Sequence, residues 1–117
     1  MNPRERGSWG EKQALLYLQG KGYVRVATGY RSRFGEIDII AKSGRYLVFA
    51  EVKLRKDARF AQAREYVGKD KQRKIKATAM LWLSTHDTKL QPRFDVIEIY
   101  AKDETAPPEI IHIENAF

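Results

Sequence analysis

The chain contains no cysteine. Disulfides and thiolate metal sites are therefore excluded, and nothing argues for an oxidising compartment. Long hydrophobic runs are missing too: no stretch approaches the roughly 20 apolar residues needed to span a bilayer, and residues 1–10 are charged and lack the apolar centre of a signal peptide. A cytoplasmic protein with no membrane partner is the simplest expectation. Histidine is scarce. His86 and His112 lie far apart without metal-ligand spacing, and His86 near a helix end is accounted for by the helix dipole. Nothing resembles a phosphate-binding glycine loop, and neither Ser84 nor Thr85 has a paired base. With no repeat, linker or low-complexity segment, the 117 residues read as one domain over 1–117, large enough for a single core and too short for two.

What the chain has in excess is positive charge. Lys and Arg number 22 against 15 Asp and Glu, a net +7, which favours a polyanionic partner. The excess is regional, with Arg31, Arg33, Arg55 and Lys56 followed by Lys69, Lys71, Arg73 and Lys74, while Asp103, Glu104 and Glu109 gather toward the C-terminus. On charge alone, a solvated basic surface explains this as well as nucleic acid does. An anionic membrane is a poorer fit, because no segment makes a convincing amphipathic anchor.

Hydrophobic spacing predicts a helix from residue 9 to about 19, with Ala14, Leu15 and Leu18 on one stripe and Gly20-Lys21-Gly22 ending it. Strands are expected over 23–30, 35–42 and 46–54, then a basic loop of roughly a dozen residues after Arg55. A helix over 70–85 would turn Ile75, Thr78, Ala79 and Trp82 inward, and strands over 93–100 and 109–113 follow the Gln91-Pro92 break. This alternation wants an α/β sandwich, a mixed sheet flanked by helices.

Two of these strands carry charge where a buried strand should be apolar: Gly35-Glu36-Ile37-Asp38-Ile39-Ile40 and Leu47-Val48-Phe49-Ala50-Glu51-Val52-Lys53. An unpaired buried carboxylate or ammonium costs several kcal/mol, so the chain needs mutual pairing, a bound cation or a wet cleft there. If Ser43-Gly44 turns the chain, residue 42 opposes 45, Asp38 opposes Phe49 and Glu36 opposes Glu51, and all four charged residues including Lys53 share one face. A slip of one residue would separate them. Asp38 and Glu51 reaching inward would share one cation, and like charges so close raise each other's pKa unless a cation neutralises them. Oxygen-only ligands favour Mg²⁺ or Mn²⁺ over zinc.

Each candidate has a plainer reading. Glu11 lies on the stripe of Ala14, Leu15 and Leu18, facing the sheet, yet Ser8-Trp9-Gly10-Glu11 fits a capping box, and spacing alone favours the cap. Glu36 would serve equally as the partner of a neighbouring Arg, with Gly35 before it allowing a ligand or backbone to come close. Glu51 and Lys53 alone would be a simple ion pair; Asp38 on the same face tips the balance to a site. Lys71, four, seven and eleven residues before Ile75, Thr78 and Trp82, sits at the sheet-facing end of its helix, either near a phosphate or snorkelling to solvent. Asp95 reads as a structural partner for an Arg or Lys.

Asp38 with Glu51-Val52-Lys53, after one helix and within three strands, resembles the PD-(D/E)XK nuclease core, with Ile37 where that name has proline. More closely, Gly10-Glu11, Gly35-Glu36-Ile37-Asp38, Val48-Phe49-Ala50-Glu51-Val52-Lys53, Val67 with Lys71-Gln72, and Arg93-Phe94-Asp95-Val96 resemble the YraN-like family of small bacterial proteins, itself likened to Holliday-junction resolvases. The resemblance covers nearly the whole chain in order, departing at Ala61, where the family often has glycine. It implies a restriction-endonuclease-like αβββαβ sandwich. It also implies that Glu11, Asp38 and Glu51 are the family's acidic positions, Lys53 its active-site lysine and Lys71 its helix lysine.

The leading expectation is a Mg²⁺- or Mn²⁺-dependent endonuclease on branched or structured DNA, resembling Holliday-junction resolvases of recombination and repair. Asp38, Glu51, the Val52 carbonyl and Glu11 would hold the metal, and Lys53 would orient or deprotonate the attacking water. Arg31, Arg33, Arg55, Lys56, Lys71 and Gln72 would grip the nucleic acid. Symmetric cutting of two strands would call for a two-fold homodimer. The rival is a non-catalytic nucleic-acid-binding protein that keeps the nuclease fold.

Overall fold

Helix α1 (Pro3–Gly20) starts six residues before the expected position, because its first turn carries capping signals rather than apolar periodicity. Asn2 Oδ1 accepts the Glu5 N–H at 2.8 Å, and Pro3 occupies the first helical turn, where its missing N–H is not needed. The expected capping box is therefore not used: Ser8 and Glu11 lie inside the helix. At the other end, Gly22 N–H bonds Gln19 O and Tyr23 N–H bonds Leu18 O, both at 3.0 Å, a paired reversal that Gly22 permits with φ +91°. The structure, a computed structural model, describes residues 2–56 and 67–117. The expected basic loop, with Ala61, lies largely outside the described residues.

Among the described residues five strands follow, β1 (Val24–Arg31), β2 (Glu36–Ser43), β3 (Tyr46–Arg55), β4 (Gln91–Tyr100) and β5 (Glu109–Ile113), with α2 (Lys69–Thr85) between β3 and β4. They form one sheet in the order β1-β2-β3-β4-β5. The β3–β4 pair is parallel and the other three are antiparallel. Leu47, Val48, Phe49 and Ala50 are buried in succession, so the central strand is covered on both faces. On one face Ala14 and Leu18 of α1 pack over Ile39, Ala41, Val48 and Ala50; on the other Ile75, Ala79 and Trp82 of α2 pack over Ile40, Leu47 and Phe49. This is the restriction-endonuclease-like αβββαβ sandwich, extended by β5. Among the described residues, no helix is long and apolar enough to cross a membrane.

Two further details differ from the sequence reading. The hairpin loop between β2 and β3 is Gly44-Arg45, with Ser43 paired to Tyr46, rather than Ser43-Gly44. Gly44, the residue that accepts φ > 0 cheaply, takes the first loop position at φ +56°. The register moves by two residues, which preserves faces but puts Asp38 in line with Glu51 instead of Phe49. The second concerns Pro92, which lies within β4 rather than before it. Gln91 N–H bonds Arg45 O, so position 92 turns its nitrogen away from β3, toward an edge where β5 pairing begins only at Val96.

Candidate functional site

The opening between β2 and β3 creates the site. Their pairing ends at Ile39–Ala50, although β2 stays paired to β1 as far as Glu36–Arg31. Ile37 joins the α2-side core, where alternation from Ile39 would have placed it opposite, so the alternation of faces along β2 breaks at Asp38. The Asp38 carboxylate fills the opening, Oδ2 accepting the Val52 N–H at 2.8 Å. Without it, that amide would lose its partner at a cost of about 1–3 kcal/mol. Carbonyls of odd β3 residues serve β4, as Arg45 O does Gln91 N and Arg55 O does Ala101 N. Val52 therefore turns both its N–H and its C=O into the opening.

On the α2 side of this opening lies a cleft of about 310 Å³, lined by Gly35, Glu36, Asp38, Glu51, Lys71, Lys74 and Ile75. Glu51 is 5% exposed. Its Oε1 receives Lys71 Nζ at 2.8 Å and Lys53 Nζ at 3.7 Å. Asp38 and Glu51 thus share one cleft, with two ammonium groups on Glu51. Burial pushes the Asp38 carboxyl up to about 7, reinforced by the charge of Glu51 and, more weakly, of Glu11 and Glu36, against the pull of the Val52 N–H. The hydrogen bond to Glu51 raises Lys71 above the usual lysine value, against burial.

A stability test follows from Asp38. Its folded pKa lies above the ordinary 3.8, so its contribution is fully present below about pH 4 and is lost as pH rises through about 7. The melting temperature of Asp38→Asn, which cannot ionise there, is expected to gain on wild type between pH 4 and 7 in the absence of divalent cations. A constant difference across that range would refute the assignment.

The other expected site residues are placed less centrally. Glu11 lines a neighbouring depression with Ser8, Lys12, Leu15 and Thr28; burial, then the charges of Glu36 and Glu51, raise its pKa, while Arg31 opposes them. Glu36 lines the cleft and also pairs with exposed Arg31 at 3.3 Å, realising its plainer reading. Gly35 lies against α2, where a Cβ would meet Lys74 Cβ at 3.5 Å. Arg33 lies over the Phe34 ring, 4.8 Å from its centroid. Lys56 is exposed. Arg55 turns inward onto buried Glu98 at 3.4 Å. Gln72 is spent on local structure, its Nε2 bonding Val67 O at 2.8 Å, and it lies outside the cleft. Among the described residues, no three His, Asp or Glu side chains gather as a metal-ligand group.

Sequence reasoning places Lys74 only in the basic flank, whereas it lines the cleft, and it misses Glu98. Glu98 carried the signal that exposed Glu51, a charge inside the apolar run Val96-Ile97-Glu98-Ile99. It also missed a network on the opposite face. Arg93 bonds Asp95 twice, at 2.9 and 2.8 Å, and Tyr23 Oη at 2.9 Å; His112 Nε2 lies 2.7 Å from Asp95 Oδ2. Asp95 is fully buried, in the structural role expected of it. His86 caps α2, its Nδ1 2.8 Å from Trp82 O.

Comparison with known proteins gives the family of the chain. The sequence model of the family described as "Uncharacterised protein family UPF0102" matches residues 10–99, which carry every carboxylate and lysine of the cleft. The chain is 43% identical over 113 residues to a UPF0102 protein of Thermodesulfovibrio yellowstonii, covering 97% of this chain and 96% of that one. It is 41% identical over 118 residues to one of Clostridioides difficile, covering 100% of both. To one of Geotalea daltonii it is 44% identical over 114 residues, covering 95% of this chain and 87% of that one. The chain belongs to the UPF0102 family, the YraN-like group.

Proposed function

We propose that this protein is a divalent-metal-dependent endonuclease that hydrolyses phosphodiester bonds in branched or structured DNA. The observation that carries this reading is the meeting of Asp38 and Glu51 in one cleft where β2 leaves β3, with two lysines at Glu51. The donor set fits Mg²⁺ or Mn²⁺: Asp38, Glu51 and the Val52 carbonyl are hard oxygen donors. Mg²⁺ is commonly held by one or two carboxylates plus waters and substrate phosphate, so a third carboxylate is not required. Glu11 stands close enough to tune the site's charge. Burial first, and the charge of Glu51 second, raise the Asp38 pKa, and a cation bound beside the carboxylate would favour its ionised form. Bound there, the ion would supply Lewis-acid polarisation of the scissile phosphate and ease ionisation of an attacking water.

The protein's own groups do the rest. Lys53, on the same strand face as Glu51 and partly exposed, orients the water and places positive charge beside the phosphate. Lys71 holds Glu51 in place and, at the N-terminal turn of α2, offsets charge developing on the phosphate. Arg33 and Lys56, both exposed, supply grip on the flanking backbone. Arg33→Ala with Lys56→Ala is expected to lower the slope of log affinity against log salt by about two, roughly one per lost phosphate contact. An unchanged slope in a fluorescence-anisotropy titration would remove both from the interface.

One observation favours a second reading, a nucleic-acid-binding protein without catalysis: Lys71 Nζ lies 2.8 Å from Glu51, so the pair is electrostatically satisfied without a cation. Calorimetric titration with Mn²⁺ separates the two. The nuclease reading expects uptake that Glu51→Gln weakens, since the substitution removes an anionic ligand at nearly constant volume. No uptake, with or without DNA, would favour the binder.

A further inference from the structure

We propose that Phe34 is a stacking platform for an unpaired base, so that the cleft acts on nucleic acid carrying an unstacked nucleotide beside the target phosphate. This rests on the nucleic-acid reading above and names which form of nucleic acid is selected. Phe34 is 39% exposed at the tip of the β1–β2 connection. Single exposed apolar residues are ordinary on a protein surface. Three things set this one apart from exposed Val24 or Met80.

The first is rigidity. Ser32 N–H bonds Gly35 O at 2.8 Å and Gly35 N–H bonds Ser32 O at 3.3 Å; Ser32 Oγ accepts the Phe34 N–H at 3.0 Å and lies 2.9 Å from Thr78 Oγ1. Thr78 in turn donates to Lys74 O at 2.8 Å, so the loop is tied to α2. A ring presented on a fixed loop costs little entropy when it engages a ligand. The second is charge. Phe34 sits in a depression of about 350 Å³ with Arg33, Arg73 and Lys74; the last two share the carboxylate of Asp70 at 2.9 and 3.3 Å, which leaves the lining net positive, and the Arg33 guanidinium lies over the ring. Aromatic rings among cations are the means by which proteins hold single-stranded nucleic acid, bases on the rings and phosphates on the charges. The third is position. Lys74 lines both this depression and the carboxylate cleft, and Gly35, next in the chain, lines the cleft. A nucleotide stacked on Phe34 would therefore run its backbone toward Asp38 and Glu51. A continuous duplex keeps its bases stacked internally and offers the ring no face.

The test is binding without divalent cation, so that nothing is cut. The probes are a duplex bearing one unpaired 2-aminopurine and its fully paired counterpart, read by anisotropy and 2-aminopurine fluorescence, with thermal melting of each variant. Wild type is expected to favour the unpaired probe and to change its fluorescence. Phe34→Ala, and Phe34→Leu, which keeps apolar bulk without an aromatic face, should weaken binding to the unpaired probe about ten-fold and leave affinity for the paired duplex nearly unchanged; Phe34→Trp should retain the preference. Equal affinity of wild type for both probes, or a preference that survives Phe34→Leu, would overturn this inference and leave the nucleic-acid reading standing. Failure of wild type to bind either probe would overturn both.

Discussion

Lys53→Ala and Glu51→Gln should each abolish most cleavage, by a factor on the order of a hundred or more, while leaving most of the affinity for DNA. The argument is spatial. Lys53 Nζ and Lys71 Nζ converge on Glu51, which is nearly buried, whereas exposed Arg31, Arg33 and Lys56 lie outside that pair. In the proposed mechanism, chemistry and grip thus fall to different side chains. Glu51→Gln preserves volume, so a loss of rate with an unchanged melting temperature points to lost charge rather than lost packing. Paired cleavage and gel-shift assays in Mn²⁺ decide the matter. Parallel loss of affinity and activity would mean that these residues hold the DNA instead.

The second large effect concerns stability. Asp95 receives two bonds from Arg93, one from His112 and one from the Asn115 N–H at 3.1 Å, and Arg93 also meets Glu114 at 3.1 Å. Burial alone would raise the Asp95 carboxyl, but bonds from His112, Arg93 and Asn115 outweigh it and hold the pKa below the usual value. Replacing one partner of a buried ion pair leaves the other uncompensated, so Asp95→Ala should cost roughly 3 to 5 kcal/mol, or roughly 10 to 20 °C in melting temperature for a domain of this size. The side chain lies on the α1 face, away from the cleft, so whatever folded protein remains should keep its specific activity. A loss below about 1 kcal/mol would show that Glu114 and water replace the carboxylate.

The parts of this protein legible in its sequence are those where a local pattern meets a hard energetic rule. Asp38 and Glu51 stood out because charge inside an apolar strand needs a reason, and face parity survived a two-residue error in register because side chains alternate with period two. The error itself arose at Gly44, where sequence does not say which of two loop positions the glycine fills. The start of α1 was missed because Pro3 and Asn2 announce it by capping rather than by hydrophobic spacing, and that mistake gave Glu11 a capping role it does not have. The Arg93–Asp95–His112 network joins β4 to β5 and, through Tyr23, to a residue 70 positions away. No local pattern reports such a contact. The same holds for Arg55, which reads as a surface cation but turns onto Glu98 from the adjacent strand.

The most direct measurement is incubation of the purified protein with four-way-junction, flap, duplex and single-stranded DNA, each with and without Mn²⁺, alongside Glu51→Gln. The account expects cation-dependent strand cleavage of the branched substrates, absent in the variant. No cleavage of any substrate in Mn²⁺ or Mg²⁺, with wild type and Glu51→Gln binding DNA alike, would contradict it and leave a nucleic-acid-binding protein on a nuclease fold.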